Sequence, residues 1–177
     1  MGLHLIIDGY NVLGTQGRVR GAEGPGSENA RERLVQELSA YRQRKGHPIT
    51  VVFDAWQQGV GAERHEHRAG VEVIYSKRGE RADQVIQRLA ERFGRDCAVV
   101  SSDREVADFA RVHGAFVIGA PEFASRLSER PAPARRAGFF RKDLPDEDRP
   151  RRDPDKKGNP RKLPKALRKR NRRLRGF

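Results

Sequence analysis

The sequence predicts an α/β fold in which a doubly wound, mostly parallel sheet has helices on both faces. Short apolar runs rich in Val and Ile recur through residues 1–120, and amphipathic helical patterns separate most of them. Most runs are too continuous for strands that keep one face in water, which is typical of parallel sheets. Strands that alternate with helices favour the same arrangement, because parallel neighbours must be joined by a crossover.

The apolar runs predict five strands, and the spacing between them predicts four helices. The strands are LHLII (3–7), ITVVF (49–53), VEVIY (71–75), CAVVS (97–101) and AFVIG (115–119). Apolar residues three and four apart predict helices over 29–44, 82–93 and 103–113, and Pro121 begins a last short helix. The interval 54–70 has no helical period, so we expect an irregular connection there, with RHEHR (64–68) as a polar surface loop.

The net charge of +13 is concentrated at one end of the chain. Of 37 Lys and Arg and 24 Asp and Glu residues, 19 and 6 respectively lie in 130–177, which leaves 18 of each in 1–129. The segment 130–177 mixes Pro with charge and has few apolar residues to offset the entropy of ordering. We therefore expect a neutral domain over 1–129 and a basic, disordered tail over 130–177, with a polyanion, nucleic acid before anionic lipid, as the partner of the tail.

Short features of the sequence exclude several classes of protein. The single cysteine, Cys97, rules out an intramolecular disulfide framework and a CxxC metal pair. The first apolar run is too short for a signal peptide or a membrane helix, so we expect a cytoplasmic protein that does not bind membranes. The glycine-rich stretch 14–27 lacks both the P-loop ending and the GxGxxG pattern, so we expect no small-molecule cofactor.

Aspartates lie where the predicted strands end. Asp8, Asp54 and Asp103 follow the first, second and fourth strands, and Asp83 lies in the first turn of the helix after the third. Because parallel strands point the same way, these four acids should meet at one edge of the sheet. Crowded carboxylates repel each other unless a cation neutralises them, and oxygen ligands suit Mg²⁺ or Mn²⁺. Such a cluster is typical of phosphodiester hydrolysis, in which the ion activates water and stabilises charge on the phosphate.

Each of these acids also has a purely structural explanation. Asp103 is a candidate N-cap, and Asp83 suits a helix N-terminus through the dipole alone. Asp8 and Asp54 can be ordinary turn residues. The convergence of all four favours a metal site over these separate explanations. Basic residues near the cluster are candidates for holding a polyanionic backbone: Lys77, Arg78, Arg81 and Arg104.

Four blocks of the sequence resemble a known family. LIIDGYNVLG (5–14), VVFDA (51–55), RADQ (81–84) and VVSSD (99–103) are similar in order and spacing to the NYN-domain nucleases of the YacP-like branch, within the PIN-like ribonuclease fold. The resemblance covers about residues 3–127 and implies a metal-dependent endoribonuclease. Carried over by position, it assigns the metal to Asp8, Asp83 and Asp103, with Asp54 nearby. We find no hallmark of the family in the tail.

The resemblance also implies what the protein acts on. Bacterial relatives are associated with the ribosome and with RNA turnover, so RNA and the ribosome are the implied partners. Asn11 would orient the site by hydrogen-bonding a carboxylate or a phosphate beside the ion, or it simply caps a helix or turn. Gly9 would let the backbone turn tightly after Asp8. Ser102 is a further candidate for substrate binding or for capping the next helix.

Two other functions stay open at this point. The domain could be a catalytically silent module that binds RNA or the ribosome, or a nuclease of the same fold that cuts DNA. The four intact acids favour an enzyme, since a silent module has no use for a repulsive cluster. A phosphorelay receiver domain shares the fold class, but it needs a lysine at the end of the fifth strand, where this sequence has VIGAPEF (117–123).

Overall fold

The structure, a computed structural model, describes residues 2–16, 27–54 and 61–129, and this part contains one sheet of six strands. The strands are β1 (His4–Asp8), β2 (Ile49–Phe53), β3 (Arg64–Arg68), β4 (Val71–Tyr75), β5 (Cys97–Val100) and β6 (Phe116–Ile118). The helices are α1 (Gly9–Thr15), α2 (Glu28–Lys45), α3 (Ala82–Phe93), α4 (Arg104–Val112) and α5 (Ala120–Ser128). The predicted tail, 130–177, and most of the glycine-rich stretch lie outside the described residues.

The order of strands across the sheet is β3-β4-β2-β1-β5-β6, and only β3 and β4 pair in the antiparallel direction. The central strand β1 pairs with β2 on one side and β5 on the other, so its carboxyl end lies where the strand order reverses, which is the usual ligand crevice of such sheets. Helices α3 and α4 cover one face, and α1, α2 and α5 cover the other. The doubly wound, mostly parallel sheet is therefore confirmed. None of the described helices is long and apolar enough to cross a bilayer.

The prediction of five strands is wrong, because β3 is a sixth strand at the edge of the sheet. It joins β4 through a turn in which Ala69 and Gly70 both have positive φ, 50° and 81°. The polar side chains of β3 are held by ion pairs, such as the contacts of Arg68 with Glu66 at 2.6 Å and with Glu32 at 2.8 Å. This strand is mostly exposed and contains no apolar residue, so it lacks the hydrophobic pattern by which the other strands are recognised.

A short helix, α1, follows β1 where the sequence predicts a tight turn. Asp8 is its N-cap, because Oδ1 of Asp8 accepts the backbone N–H of Asn11 at 3.1 Å. Gly9 does not have the positive φ that would require glycine. Instead, a Cβ at this position would lie 2.2 Å from a carbon of the Phe53 ring, so close packing of the backbone on that ring requires glycine.

A buried apolar layer supports the carboxyl edge of the sheet. On the face covered by α3, β1, β2, β4 and β5 contribute Ile6, Val52, Ile74 and Val99 to one hydrophobic cluster. Side chains alternate between faces along a strand, so the second residue after each of these continues on the same face. Those residues are all polar: Asp8, Asp54, Ser76 and Ser101. The candidate site is therefore built directly on the core.

Gly9→Ala should destabilise the domain, because the buried Phe53 ring has no room to move away from a methyl group. Overpacking of this kind costs about 1–3 kcal/mol, which urea unfolding would measure. Gly14→Ala is the matched control in the same helix, since nothing lies within 4 Å of a Cβ there. It should leave stability unchanged or raise it by up to about 1 kcal/mol through helix propensity. Equal effects of the two substitutions would contradict the packing argument.

Candidate active site

The four strand-end acids interact electrostatically at the carboxyl edge of the sheet. Asp8 is only 7% exposed, whereas Asp54, Asp83 and Asp103 are partly exposed. The negative charges of Asp83 and Asp103 both act on Asp8, and those of Asp103 and Asp54 act on Asp83. The predicted convergence of these residues therefore agrees with the electrostatics of the folded domain, although their roles in metal binding and catalysis stay predictions.

Asp8 is the most perturbed acid of the group. Burial, assisted by the negative charges of Asp83 and Asp103, raises the pKa of its carboxyl to about 6. Two hydrogen bonds oppose this effect: the backbone N–H of Asn11 donates to Oδ1, and the hydroxyl of Ser101 donates to Oδ2 at 3.4 Å. The carboxylate is thus held in one orientation while its charge remains costly.

Asp103 caps α4 with one carboxylate oxygen, as its sequence position suggests, and its other carboxylate oxygen takes no part in the cap. It caps α4 through Oδ1, which accepts the backbone N–H groups of Glu105 at 2.8 Å and Val106 at 3.4 Å. No described residue donates a hydrogen bond to Oδ2. The backbone N–H of Asp103 donates to the hydroxyl oxygen of Ser101 at 3.1 Å, so one buried serine contacts both Asp8 and Asp103.

Asp83 and Asp54 lie in the part of the carboxyl edge that is formed by β2, β4 and the start of α3. Burial raises the pKa of the Asp83 carboxyl, and the ion pair with Arg81, at 2.8 Å, opposes that shift. The charges of Asp103, Asp54 and Glu105 also raise it. Asp54 accepts a hydrogen bond from the buried hydroxyl of Ser76 at 3.0 Å.

Asn11 and Ser102 connect three elements that border the site. The side-chain oxygen of Asn11, in α1, accepts the backbone N–H of Ser102 at 3.2 Å. The hydroxyl oxygen of Ser102 in turn accepts the backbone N–H of Ala120, at the start of α5, also at 3.2 Å. Asn11 therefore braces the loop that carries Asp103, and its amide NH₂ group is the part left to donate to a phosphate or carboxylate.

Sequence reasoning missed Ser76, Ser101 and Glu105. Both serines follow directly after apolar strands, in the sequences IYS and VVSS, so the same rule that selects the strand-end acids would have selected them. Glu105 lies in the first turn of α4, where an acidic residue is expected for the helix dipole alone. Nothing in the sequence indicates that its charge reaches Asp83.

The four basic residues that the sequence suggests for substrate binding are all exposed and lie in segments next to the acids. Lys77 and Arg78 lie on the loop between β4 and α3, which Arg88 holds by donating from Nη1 to Oε1 of Glu80 at 2.7 Å. The others are Arg81, directly before α3, and Arg104, the first residue of α4. We call these four side chains the basic rim of the edge, and their contact with a polyanionic substrate stays a prediction.

The donors fit a hard divalent cation, but not a closed cage. Among residues 2–16, 27–54 and 61–129, no group of three or more His, Cys, Asp or Glu is arranged to hold a metal ion. Mg²⁺ commonly binds through one or two carboxylates and keeps several waters, so it does not need such a group. Oδ2 of Asp103 and the crowded charge of Asp8 and Asp83 suit a cation of this kind.

The fold and this acid-lined edge are those of a nuclease-like NYN domain. The chain belongs to the YacP-like NYN domain family, whose pattern matches residues 5–169. The resemblance read from four blocks is thus confirmed, and it reaches further than expected, because the match includes most of the predicted tail. The boundary between residues 129 and 130 therefore stays a prediction.

Relatives from Bacillus subtilis agree with this assignment. The chain is 36% identical over 88 residues to a protein named "Uncharacterized protein YacP", a stretch that spans 49% of this chain and about half, 51%, of that protein. It is also similar to the crystal structure of a point mutant of Rae1 (YacP), with 30% identity, a TM-score of 0.59, and coverage of 72% of this chain and 75% of the other. A second Rae1 (YacP) crystal structure gives 28% identity, a TM-score of 0.56, and coverage of 70% and 72%.

The raised pKa of Asp8 should make the stability of the domain depend on pH. Because about 6 lies above the ordinary value of 3.8, the protonated carboxyl favours the folded state. That contribution is complete below about pH 4 and is lost as the pH rises through about 6, by about 3 kcal/mol at most. Asp8→Asn, which keeps the helix cap, should remove this part of the pH dependence in urea unfolding.

The matched control is Asp108→Asn, because the side chain of Asp108 is 73% exposed on α4. It should leave the pH profile of the wild type intact. If the free energies of unfolding of Asp8→Asn and wild type stayed parallel from acidic to neutral pH, the carboxyl of Asp8 would not be the titrating group.

Proposed function

We propose that this protein is a metal-dependent endoribonuclease that hydrolyses RNA phosphodiester bonds. The observation that supports this most strongly is the set of mutually repelling carboxylates at the carboxyl edge of a YacP-like NYN domain, surrounded by exposed Lys and Arg side chains. Asp8, Asp83 and Asp103 would hold Mg²⁺ or Mn²⁺, directly or through water. Asp54 would support the cluster from the end of β2.

When bound, the ion would lower the pKa of a water and neutralise charge on the phosphate. The side chains of the protein hold the reacting groups in position. Asp8 is fixed by two hydrogen bonds, and Ser101 keeps it next to Asp103. The amide NH₂ group of Asn11 would donate to a phosphate oxygen or to a carboxylate beside the ion. Because these groups are oriented before substrate arrives, little reorganisation is needed during the reaction.

RNA would bind along the basic rim of the edge. Lys77, Arg78, Arg81 and Arg104 would hold the phosphate backbone, and Ser102 would lie at the substrate side of the loop before α4. We further propose that the substrate is cytoplasmic RNA that is exposed or associated with the ribosome. The buried thiol of Cys97, which forms no disulfide, suits a reducing compartment.

Asp83→Asn and Asp8→Asn should each lower RNA cleavage by orders of magnitude, because each removes a negative charge from the proposed ion site while keeping the size of the side chain. The measurement is cleavage of labelled single-stranded RNA with Mg²⁺ or Mn²⁺ and with EDTA. Asp96→Asn is the matched control, since Asp96 is an exposed acid just before the amino end of β5, whereas the candidate site lies at the carboxyl ends of the strands.

The same assay separates the competing functions. Cleavage by the wild type in EDTA, or full activity of both site variants, would remove the metal-site assignment. Cleavage of a DNA strand of the same sequence at an equal rate would identify a nuclease without preference for RNA. RNA binding without any cleavage would identify the silent binding module.

The tail, 130–177, should supply much of the affinity for RNA, because its Lys and Arg side chains release counterions from phosphates whatever the base sequence. Four Gln substitutions in the intact chain should flatten the dependence of log Kd on log salt by up to about 2.8, or about 0.7 for each lost phosphate contact. The substituted residues are Lys169, Arg170, Arg172 and Arg173.

The control for this variant also removes four charges, but from exposed residues near the amino ends of the strands. These residues are Arg42, Arg44, Lys45 and Arg92. The control should keep the salt dependence of the wild type. If both variants flatten it equally, the C-terminal segment has no special part in binding RNA.

A further inference from the structure

A row of aromatic rings lies along the carboxyl edge on the face opposite the acids. The Tyr10 ring packs edge-on to Phe53 with centroids 5.4 Å apart, and Phe53 stacks on Tyr75 at 5.9 Å. Phe53 and Tyr75 directly precede Asp54 and Ser76, so their side chains leave the sheet on the other face. The aromatic row therefore borders the candidate active site on the side of α1 and α2.

Guanidinium groups accompany this row. Arg31, in α2, is only 6% exposed, and its Nη1 donates to the hydroxyl oxygen of Tyr10 at 3.2 Å. The guanidinium carbon of Arg64 lies 5.9 Å from the centre of the Tyr75 ring. Burial and Glu66 raise the pKa of the Tyr75 hydroxyl, and the nearby charges of arginines, Arg31 and Arg64 among them, oppose that shift. The buried Arg31 of α2 and the half-exposed Arg64 of β3 thus bring positive charge to the aromatic row.

The hydroxyl of Tyr10 retains a hydrogen to donate. A tyrosine hydroxyl has one O–H and two acceptor lone pairs, and here the oxygen already accepts from Arg31. Within the described part of the chain, no group accepts the hydrogen of this hydroxyl. Tyr10 is partly exposed and lies two residues after Asp8. A donor of this kind, next to a guanidinium, favours an anionic oxygen as its acceptor.

We propose that Tyr10 and Arg31 form a subsite for a phosphate of the RNA strand, next to the phosphate that is cut. The assignment deepens the proposed endoribonuclease function and rests on it for the identity of the ligand. The phosphate is a neighbouring one because Tyr10 packs on Phe53, whose side chain leaves β2 on the face away from Asp8 and Asp54. The subsite would anchor the strand without taking part in the bond-breaking step.

Tyr10→Phe tests the subsite without disturbing the packing, since it keeps the ring on Phe53 and removes only the hydroxyl. A hydrogen bond to a charged group is worth about tenfold or more in binding, so KM and Kd for a short single-stranded RNA should rise about tenfold. The kcat should stay within about twofold, because the lost contact is the same in the ground state and the transition state.

Tyr41→Phe is the matched control. Tyr41 is a buried tyrosine of α2 that packs on Phe123 in α5, and its hydroxyl has no hydrogen-bond partner among the described residues. This substitution should change neither KM nor kcat. Unchanged KM and Kd in Tyr10→Phe would overturn the proposal, and so would a fall in kcat at unchanged KM.

A substrate variant identifies the phosphate itself. A methylphosphonate linkage removes the negative charge of one phosphate. An RNA with one such linkage should bind less tightly when the substituted phosphate is one that contacts the protein. At the linkage held by Tyr10, the methylphosphonate and Tyr10→Phe should not add, because both remove the same contact. Additive losses at every linkage would overturn the assignment to a phosphate.

The charge of Arg31 is tested separately. Arg31→Met should lower the slope of log Kd against log salt by about 0.7, and Arg33→Met, an exposed neighbour on the same helix, should not. Melting curves would show whether Arg31→Met remains folded, and equal slopes in the two folded variants would contradict the subsite. Tyr10→Phe keeps the proposal testable if Arg31→Met unfolds.

Binding measured in EDTA needs no cleavage, so the two proposals can fail separately. A wild type that binds RNA through Tyr10 but never cuts it would overturn the endoribonuclease and support the subsite. If the wild type cuts RNA, and Tyr10→Phe cuts it as fast and binds it as tightly, the subsite alone is overturned.

Discussion

Burial of a carboxylate at the end of the central strand is the constraint on which the rest of the site depends. Asp8 follows three fully buried apolar residues and is itself almost completely buried. Charge in such a place is costly, and a pKa raised to about 6 reflects the part of the cost that two hydrogen bonds leave uncompensated. Asp83 and Asp103 add repulsion rather than relief. The ion pair of Arg81 with Asp83 offsets only part of this negative charge, so a cation that bound at this edge would stabilise the folded domain.

Hydrogen bonds around Asp8 make the edge a single unit. Ser101 contacts both Asp8 and Asp103, while Asn11 and Ser102 join α1 to the start of α5. Helices on one face of the sheet are thus connected to a loop that leads to a helix on the other face. Loss of one of these side chains would leave a partner without its hydrogen bond, so the geometry of the acids depends on residues that carry no charge.

The alternation of side chains along the strands gives the two sides of the edge different chemistry. Asp54 and its neighbour Phe53 point to opposite faces, as do Ser76 and Tyr75. One face therefore collects carboxylates and serines above the apolar core. The other collects aromatic rings and guanidinium groups, and it is there that we place the proposed phosphate subsite. A substrate strand that crosses the edge would meet both environments within a few residues of Asp8.

Local sequence determined the elements whose apolar pattern reflects their burial. The central strands, the long helices and the strand-end positions of Asp8, Asp54 and Asp103 could all be read from it, because a parallel sheet buries its strands and aligns their carboxyl ends. Only tertiary structure decided that RHEHR is an edge strand, because its polar side chains carry no hydrophobic pattern and it is recognised by its backbone pairing with β4 and by the ion pair of Arg68 with the distant Glu32. The same holds for the need for glycine at position 9, which the Phe53 ring imposes. It also holds for the contact of Arg31 with Tyr10, because the two residues meet only when α1 and α2 pack together.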